Sequence, residues 1–178
     1  GLNPSYPATC FPSSATMVNS WDTELVHKVG EALGKEAISL DVNVLLAPGT
    51  NIKRNPKCGR NFEYFSEDPF LAGKMAGAYV DGVQSTGVAC CLKHFACNNK
   101  ENMRMVSDSI MDERTLREIY LTAFEIAVTE AHPKTIMSSY NKLNGTYANE
   151  NNHLLREILR GEWGFPGVII TDWGGDND

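Results

Sequence analysis

No stretch of this sequence stays apolar for anything near the roughly 18–20 residues that a membrane-crossing helix needs, so no membrane span is expected. Basic residues are in the minority: 16 Lys and Arg stand against 22 Asp and Glu, a net charge of −6 with no basic cluster. Such a chain is a poor partner for a phosphate backbone, and nucleic acid is not expected to bind. Gly1 to Pro12 has neither the basic start nor the apolar stretch of a secretory leader. No CxxC pair occurs among the cysteines, which number five: Cys10, Cys58, Cys90, Cys91 and Cys97. That spacing does not suit a zinc site, and no metal is expected. Cys90 and Cys91 lie in an apolar run, where a free thiol behaves as a small hydrophobe. Reduced thiols lean toward a reducing compartment, so the expected location is the cytoplasm. No GxGxxG turn follows any apolar run, which removes support for a dinucleotide cofactor. Internal repeats and low-complexity linkers are also missing.

What is present is a globular composition, 42% apolar and 21% charged over 178 residues, enough for one ordinary domain. Short apolar runs alternate with longer amphipathic stretches. Asp41–Ala47, Val88–Phe95, Thr135–Tyr140 and Gly167–Trp173 read as strands. They are near-continuously apolar, as in a parallel sheet covered on both faces. Between them, Leu25, Val29, Leu33, Ala37 and Leu40 share one helical face. A second helix opens at Asp68-Pro69, an N-cap with Pro at the first helical position, and runs to Thr86 before Gly87. A third follows Asp112, and a fourth carries Leu154, Leu155, Ile158 and Leu159. This alternation predicts an α/β fold with right-handed crossovers. The candidates are a (β/α)8 barrel and a doubly wound open sheet.

Reactive polar residues follow the apolar runs. Lys93-His94 closes the second, Tyr140-Asn141 the third and Asp172-Trp173 the fourth. The first leads toward Asn51, Arg54, Arg60 and Glu63. Carboxyl ends of parallel strands are where α/β proteins hold ligands, so these residues outline a pocket for a polar ligand. Each has a plainer explanation. His94 alone would be read as a satisfied core histidine, but Lys93 beside it is rarely buried without a partner. Asp172 could cap a following helix, Tyr140 could line a wall and Trp173 could belong to the core. Arg60 could pair with Glu63 or Glu67 in a loop ion pair of little value. Taken together, these explanations are strained.

Longer motifs then point one way. Leu46-Ala47-Pro48-Gly49-Thr50-Asn51 through Pro56, Gly59-Arg60-Asn61-Phe62-Glu63-Tyr64-Phe65-Ser66-Glu67-Asp68-Pro69, Lys93-His94-Phe95, Met137-Ser138-Ser139-Tyr140-Asn141 and Thr171-Asp172-Trp173 resemble glycoside hydrolase family 3. They occur in the family's order and cover nearly the whole chain. The β-glucosidase type is the most similar branch. The Pro-Gly-His-Gly continuation that marks the β-N-acetylhexosaminidases is replaced after Lys93-His94-Phe95 by Ala96-Cys97-Asn98-Asn99.

The resemblance implies a partial TIM-type (β/α)8 barrel with parallel strands and crossover helices. It implies a retaining, exo-acting hydrolase that releases terminal β-D-glucose through a covalent intermediate on Asp172, with Thr171 where the family has Ser. Arg60, Lys93, His94, Met137, Tyr140 and Trp173 fall on sugar-binding positions, and Glu101 and Arg104 are placed as their support. The partner is a small oligosaccharide or β-glucoside. Cofactors are not implied, because two carboxyl groups suffice. Residues 1–178 are then a segment of the N-terminal catalytic barrel. An early strand with another sugar-binding Asp, a last strand and a C-terminal α/β domain carrying the acid/base are expected outside it, and the segment alone is expected to be inactive. The alternatives are β-xylosidase or arabinofuranosidase specificity, or a non-catalytic sugar-binding module or inactive remnant of the same family.

Overall fold

In the computed structural model, residues 6–175 are described. Helix α1, Thr23–Ser39, starts where the Asp22 carboxylate accepts the Leu25 N–H at 2.9 Å, satisfying an orphan donor of the first turn. Helix α2, Pro69–Gln84, starts the same way: Asp68 accepts the Leu71 N–H at 2.7 Å, with Pro69 behind it. The chain leaves α2 through Gly87 at φ 95°, two residues after its C-cap Ser85, so the helix is shorter than the predicted run to Thr86. The third helical stretch, α3, joins Glu113–Thr115, Leu116–Leu121 and Thr122–Ala131, the middle part with wide π-type turns. Asp112 caps it by accepting the Thr115 N–H at 2.8 Å. Helix α4, His153–Glu162, is also π-wound and buries Leu154, Ile158 and Leu159.

The strands are β1, Val44–Leu45; β2, Ala89–Phe95; β3, Thr135–Ser138; and β4, Val168–Thr171. They lie side by side in chain order and all pair in parallel. A doubly wound sheet reverses its strand order at a switch point, whereas a barrel runs round in order. Order without reversal, with a helix after each of the first three strands, is the arc of a (β/α)8 barrel. The paired segments are shorter than the apolar runs that predicted them. Of Asp41–Ala47 only Val44–Leu45 pairs, because the chain turns at Asp41 with φ 55°. Of Thr135–Tyr140 the last two residues leave the ladder for the rim. A second small sheet, Asp108–Ser109, Lys142–Leu143 and Thr146–Tyr147, was not predicted, since two-residue strands carry no periodicity.

The core lies between β2–β4 and the helices. Phe95 packs edge-on against Phe124 and Trp163 at 5.2 and 5.8 Å between ring centroids. The buried face of α1 is Val26, Gly30, Gly34 and Ala37, one step round from the expected one, and Leu25 is exposed. The glycines explain this. A Cβ at Gly30 would lie 2.6 Å from the Tyr79 carbonyl oxygen, and one at Gly82 would lie 2.1 Å from that of His27. Backbones of α1 and α2 therefore meet through their smallest residues, and the large apolar side chains are displaced to the flanks. Among the described residues no helix is long and apolar enough to cross a membrane.

These contacts separate two glycines of α2. Gly82→Ala should destabilise the fold by about 1–3 kcal/mol, because backbone must move to admit the methyl. At Gly77 the nearest atom to an added Cβ is that of Ala131 at 3.8 Å, an ordinary contact. Gly77→Ala should instead stabilise by up to about 1 kcal/mol through helix propensity. Thermal midpoints of the two variants measured side by side check both signs.

Candidate active site

The carboxyl ends of β2, β3 and β4 share one rim. Gly49, Lys93, Met137 and Ile170 sit at one level through successive parallel pairings. On β2 the register then slips: Lys93 pairs with Met137 but Phe95 with Ser138, leaving His94 as the extra residue. Such a bulge breaks the strict alternation of side chains and re-aims one of them. Lys93 and His94 thus both face polar partners, while Phe95 returns to the core. The bulge would strand backbone polar groups, and Asn51 satisfies them. Its Oδ1 accepts the His94 N–H at 2.8 Å and its Nδ2 donates to the His94 carbonyl at 2.9 Å. Asn51 is itself buried.

The His94 ring is buried and set by two neighbours. Nδ1 is 3.2 Å from the Tyr64 hydroxyl, and Nε2 is 3.6 Å from Asp172 Oδ2. Burial, together with the charges of Arg60, Lys93 and Arg104, pushes the imidazole pKa down to about 2. The ring is therefore neutral, a hydrogen-bonding group and not a cation. Asp172 stands at the end of β4 with 7% exposure. Its Oδ1 accepts the Trp173 N–H at 2.9 Å, while Oδ2 is buried and accepts no hydrogen bond among the described residues. A carboxylate with one oxygen fixed and the other approached only loosely is suited to attack an electrophile. Tyr140 is beside it: burial and the Asp172 carboxylate raise the phenol pKa, and Arg104 and Arg60 oppose them.

The cations are balanced by Glu63. Arg60 Nε donates to its Oε1, and Lys93 Nζ lies 3.6 Å from its Oε2. The pairing of Arg60 with Glu63 is real, but it is mostly buried and extends to Lys93, unlike an isolated loop pair; Glu67 takes no part. Arg104 stacks over the Tyr140 ring at 4.4 Å from Cζ to the centroid. Of the residues proposed from sequence, Arg60, Lys93, His94, Tyr140 and Asp172 form one polar cluster. Met137 is buried in the strand wall at the level of Lys93, whereas Trp173 is 65% exposed. Arg54 is exposed and has no place in the cluster. The holding roles of Asn51 and Tyr64 were not read from the sequence. Both residues lie in loop segments without periodicity, and only their partners reveal what they do. Among the described residues no three His, Cys, Asp or Glu side chains are grouped as a metal site needs.

Comparison with known proteins agrees with this geometry. The sequence matches the glycosyl hydrolase family 3 N terminal domain over residues 4–176. It is 58% identical to thermostable beta-glucosidase B of Acetivibrio thermocellus, over 99% of this chain and 23% of that protein. It is 55% identical to an exo-alpha-(1->6)-L-arabinopyranosidase of Bifidobacterium breve, again over 99% of this chain and 23% of the relative. The chain thus spans about a quarter of the length of the curated relatives it matches. Among solved structures, beta-glucosidase 3B of Thermotoga neapolitana in complex with glucose superimposes with a TM-score of 0.92 at 55% identity, covering 93% of this chain and 23% of that one. A Bifidobacterium adolescentis GH3 beta-glucosidase gives a TM-score of 0.97 at 53% identity, covering 99% and 26%. With strand order, rim chemistry and sequence all in agreement, this chain belongs to glycosyl hydrolase family 3, within its N-terminal domain.

Proposed function

We propose that this chain supplies the nucleophile and the sugar-holding side chains of a retaining, exo-acting β-glucosidase. The observation that carries the reading is the buried, unpartnered Oδ2 of Asp172 beside a neutral His94. In the first step Oδ2 bonds to the anomeric carbon as the glycosidic C–O bond breaks. The departing oxygen takes a proton from a second carboxyl group roughly 5–5.5 Å away. In the second step that carboxylate takes a proton from water, whose oxygen bonds to the anomeric carbon and frees Asp172. We place that second carboxyl group outside residues 1–178, in a polypeptide of the relatives' length, of which this chain spans about a quarter. Arg60, Lys93 and His94 hold hydroxyls of the terminal glucose, Tyr140 lies against the nucleophile, and Met137 and Trp173 form the walls. Donors fixed in this way cost little reorganisation as positive charge develops on the sugar ring. The glucose complex of the Thermotoga neapolitana relative supports a glucose-sized ligand.

A second specificity has a definite observation behind it: the arabinopyranosidase relative is only slightly less similar than the β-glucosidase. The two sugars differ at C4 and in the C6 hydroxymethyl group. Relative kcat/KM on 4-nitrophenyl β-D-glucoside and α-L-arabinopyranoside decides between them, with the glucoside expected to be preferred.

The nucleophile has a stereochemical test in the complete polypeptide. Asp172→Asn should lower kcat by about 10⁴-fold or more. Asp172→Gly with azide should convert an activated β-glucoside to the α-glucosyl azide, because azide enters from the vacated face. A β-azide product, or near-normal turnover by Asp172→Asn, would sink the assignment. His94 gives a pH prediction. Its pKa is depressed, so it binds a proton only far below neutrality and stays uncharged over about pH 5 to 8, where an ordinary histidine titrates. His94→Asn should therefore lower the height of the kcat/KM profile and leave both limbs in place. A limb that disappears with His94 would contradict this.

A further inference from the structure

Beyond the sugar-holding cluster, the loop after β2 contains a carboxylate that touches none of the reacting groups directly. Glu101 is mostly buried, at 22% side-chain exposure. Both of its oxygens are engaged, by groups at opposite ends of the loop. Oε1 accepts from Asn98 Nδ2 at 3.2 Å, and Oε2 accepts from Arg104 Nη1 at 2.8 Å. Each contact begins a chain. Asn98 meets the Tyr64 hydroxyl twice at 3.5 Å: its Nδ2 donates to the hydroxyl, and its main-chain carbonyl competes with His94 Nδ1 for the hydroxyl's one proton. Tyr64 is fully buried and reaches His94 Nδ1 at 3.2 Å, and His94 Nε2 is 3.6 Å from Asp172. In the other direction, Arg104 stacks on Tyr140, whose phenol adjoins Asp172.

We infer that Glu101 is a positioning residue, a single anchor for two contact chains that converge on Asp172 from different sides. One chain, through Asn98 and Tyr64, sets the tilt and tautomer of the His94 ring. The other, through Arg104, fixes the plane of Tyr140. An ion pair that merely tied a loop would need one oxygen of Glu101 and would be worth little. Engaging both oxygens divides the carboxylate between the two walls of the site, so their spacing is held by one rigid group. The inference rests on the proposed nucleophile role of Asp172.

The test uses the complete polypeptide and 4-nitrophenyl β-glucoside. Glu101→Gln keeps the side chain's size but offers one acceptor oxygen in place of two and no charge: with that oxygen on Arg104, its amide N–H2 opposes the Asn98 N–H2, so the hold on Arg104 weakens and the chain to Tyr64 is broken. The substitution should lower kcat by about 10- to 100-fold, as expected for a misplaced reacting group, with KM and the thermal midpoint nearly unchanged. Tyr64→Phe, which removes one hydroxyl from one chain, should lower kcat less. The double variant should be no slower than Glu101→Gln alone, because residues acting in one chain are not additive. A Glu101→Gln kcat within about twofold of the unsubstituted protein, or losses that simply multiply in the double variant, would overturn the inference. If Glu101→Gln does not fold, Glu101→Asp carries the test. Its carboxylate keeps the charge but is drawn back by one methylene and can serve only one chain, so kcat should still fall; an unchanged kcat would overturn the inference. Turnover by the unsubstituted protein separates the two levels. If it is inactive on β-glucosides and related aryl glycosides, the functional reading and this inference fall together. If it is active, only the inference is at stake.

Discussion

The parallel pairing of β2 with β3 and of β3 with β4 fixes where the chemistry can occur. Each rung places Lys93, Met137 and Ile170 at one height, so whatever follows those residues reaches the same rim. His94, Tyr140 and Asp172 come from strands separated by whole helices in the sequence, yet the register brings them together. Had β4 slipped by one residue, its side chains would have changed faces, and Asp172 would no longer oppose His94. The helices serve that register. The glycine contacts between α1 and α2 and the Phe95–Phe124–Trp163 packing hold the outer layer close to the strands.

Electrostatics then determines what the rim can do. Arg60, Lys93 and Arg104 surround a neutral imidazole, and an uncompensated buried charge costs several kcal/mol. Glu63 offsets the two more buried cations, Arg60 and Lys93, while Glu101 pairs with Arg104, whose side chain is 36% exposed and whose charge water also screens. Among the described residues Asp172 is thereby left out of tight ion pairing: its Oδ2 lies 3.6 Å from His94 Nε2, and the Tyr140 phenol adjoins the carboxylate. A nucleophile bound tightly by a cation would be a poor one. On the proposed function, this arrangement places positive charge where the sugar hydroxyls would lie and leaves an oxygen of Asp172 available.

Much of this was legible in the residues themselves. Apolar runs ending in Lys93-His94, Tyr140-Asn141 and Asp172-Trp173 carried the strands and the rim, because a buried strand and its polar exit are both local features. Asp68-Pro69 and Asp112 carried the helix starts for the same reason. Strand order was not local, and composition alone left the barrel and the open sheet both standing until the family motifs were considered. The two partners of Glu101 lie only three residues to either side of it, but the Asn51 clamp and the Tyr64 contact join residues 43 and 30 positions apart. No spacing or periodicity encodes them. The buried face of α1 centres one step round from the apolar one, with Ala37 in it and Val29 and Leu33 packed at its edge, because the room made by Gly30 and Gly34 is a matter of contact and not of hydrophobicity.

The central claim is that Asp172 forms a bond to sugar. Incubation of the complete polypeptide with an activated 2-deoxy-2-fluoro-β-glucoside, followed by proteolysis and peptide mass spectrometry, tests it most directly. The fluorine slows both formation and breakdown of a glycosyl–enzyme, and the activated leaving group restores the rate of formation alone, so the intermediate accumulates. The account predicts one glycosylated peptide, modified at Asp172. A label on another carboxylate, such as Glu63 or Glu101, or turnover with no covalent adduct, would contradict it.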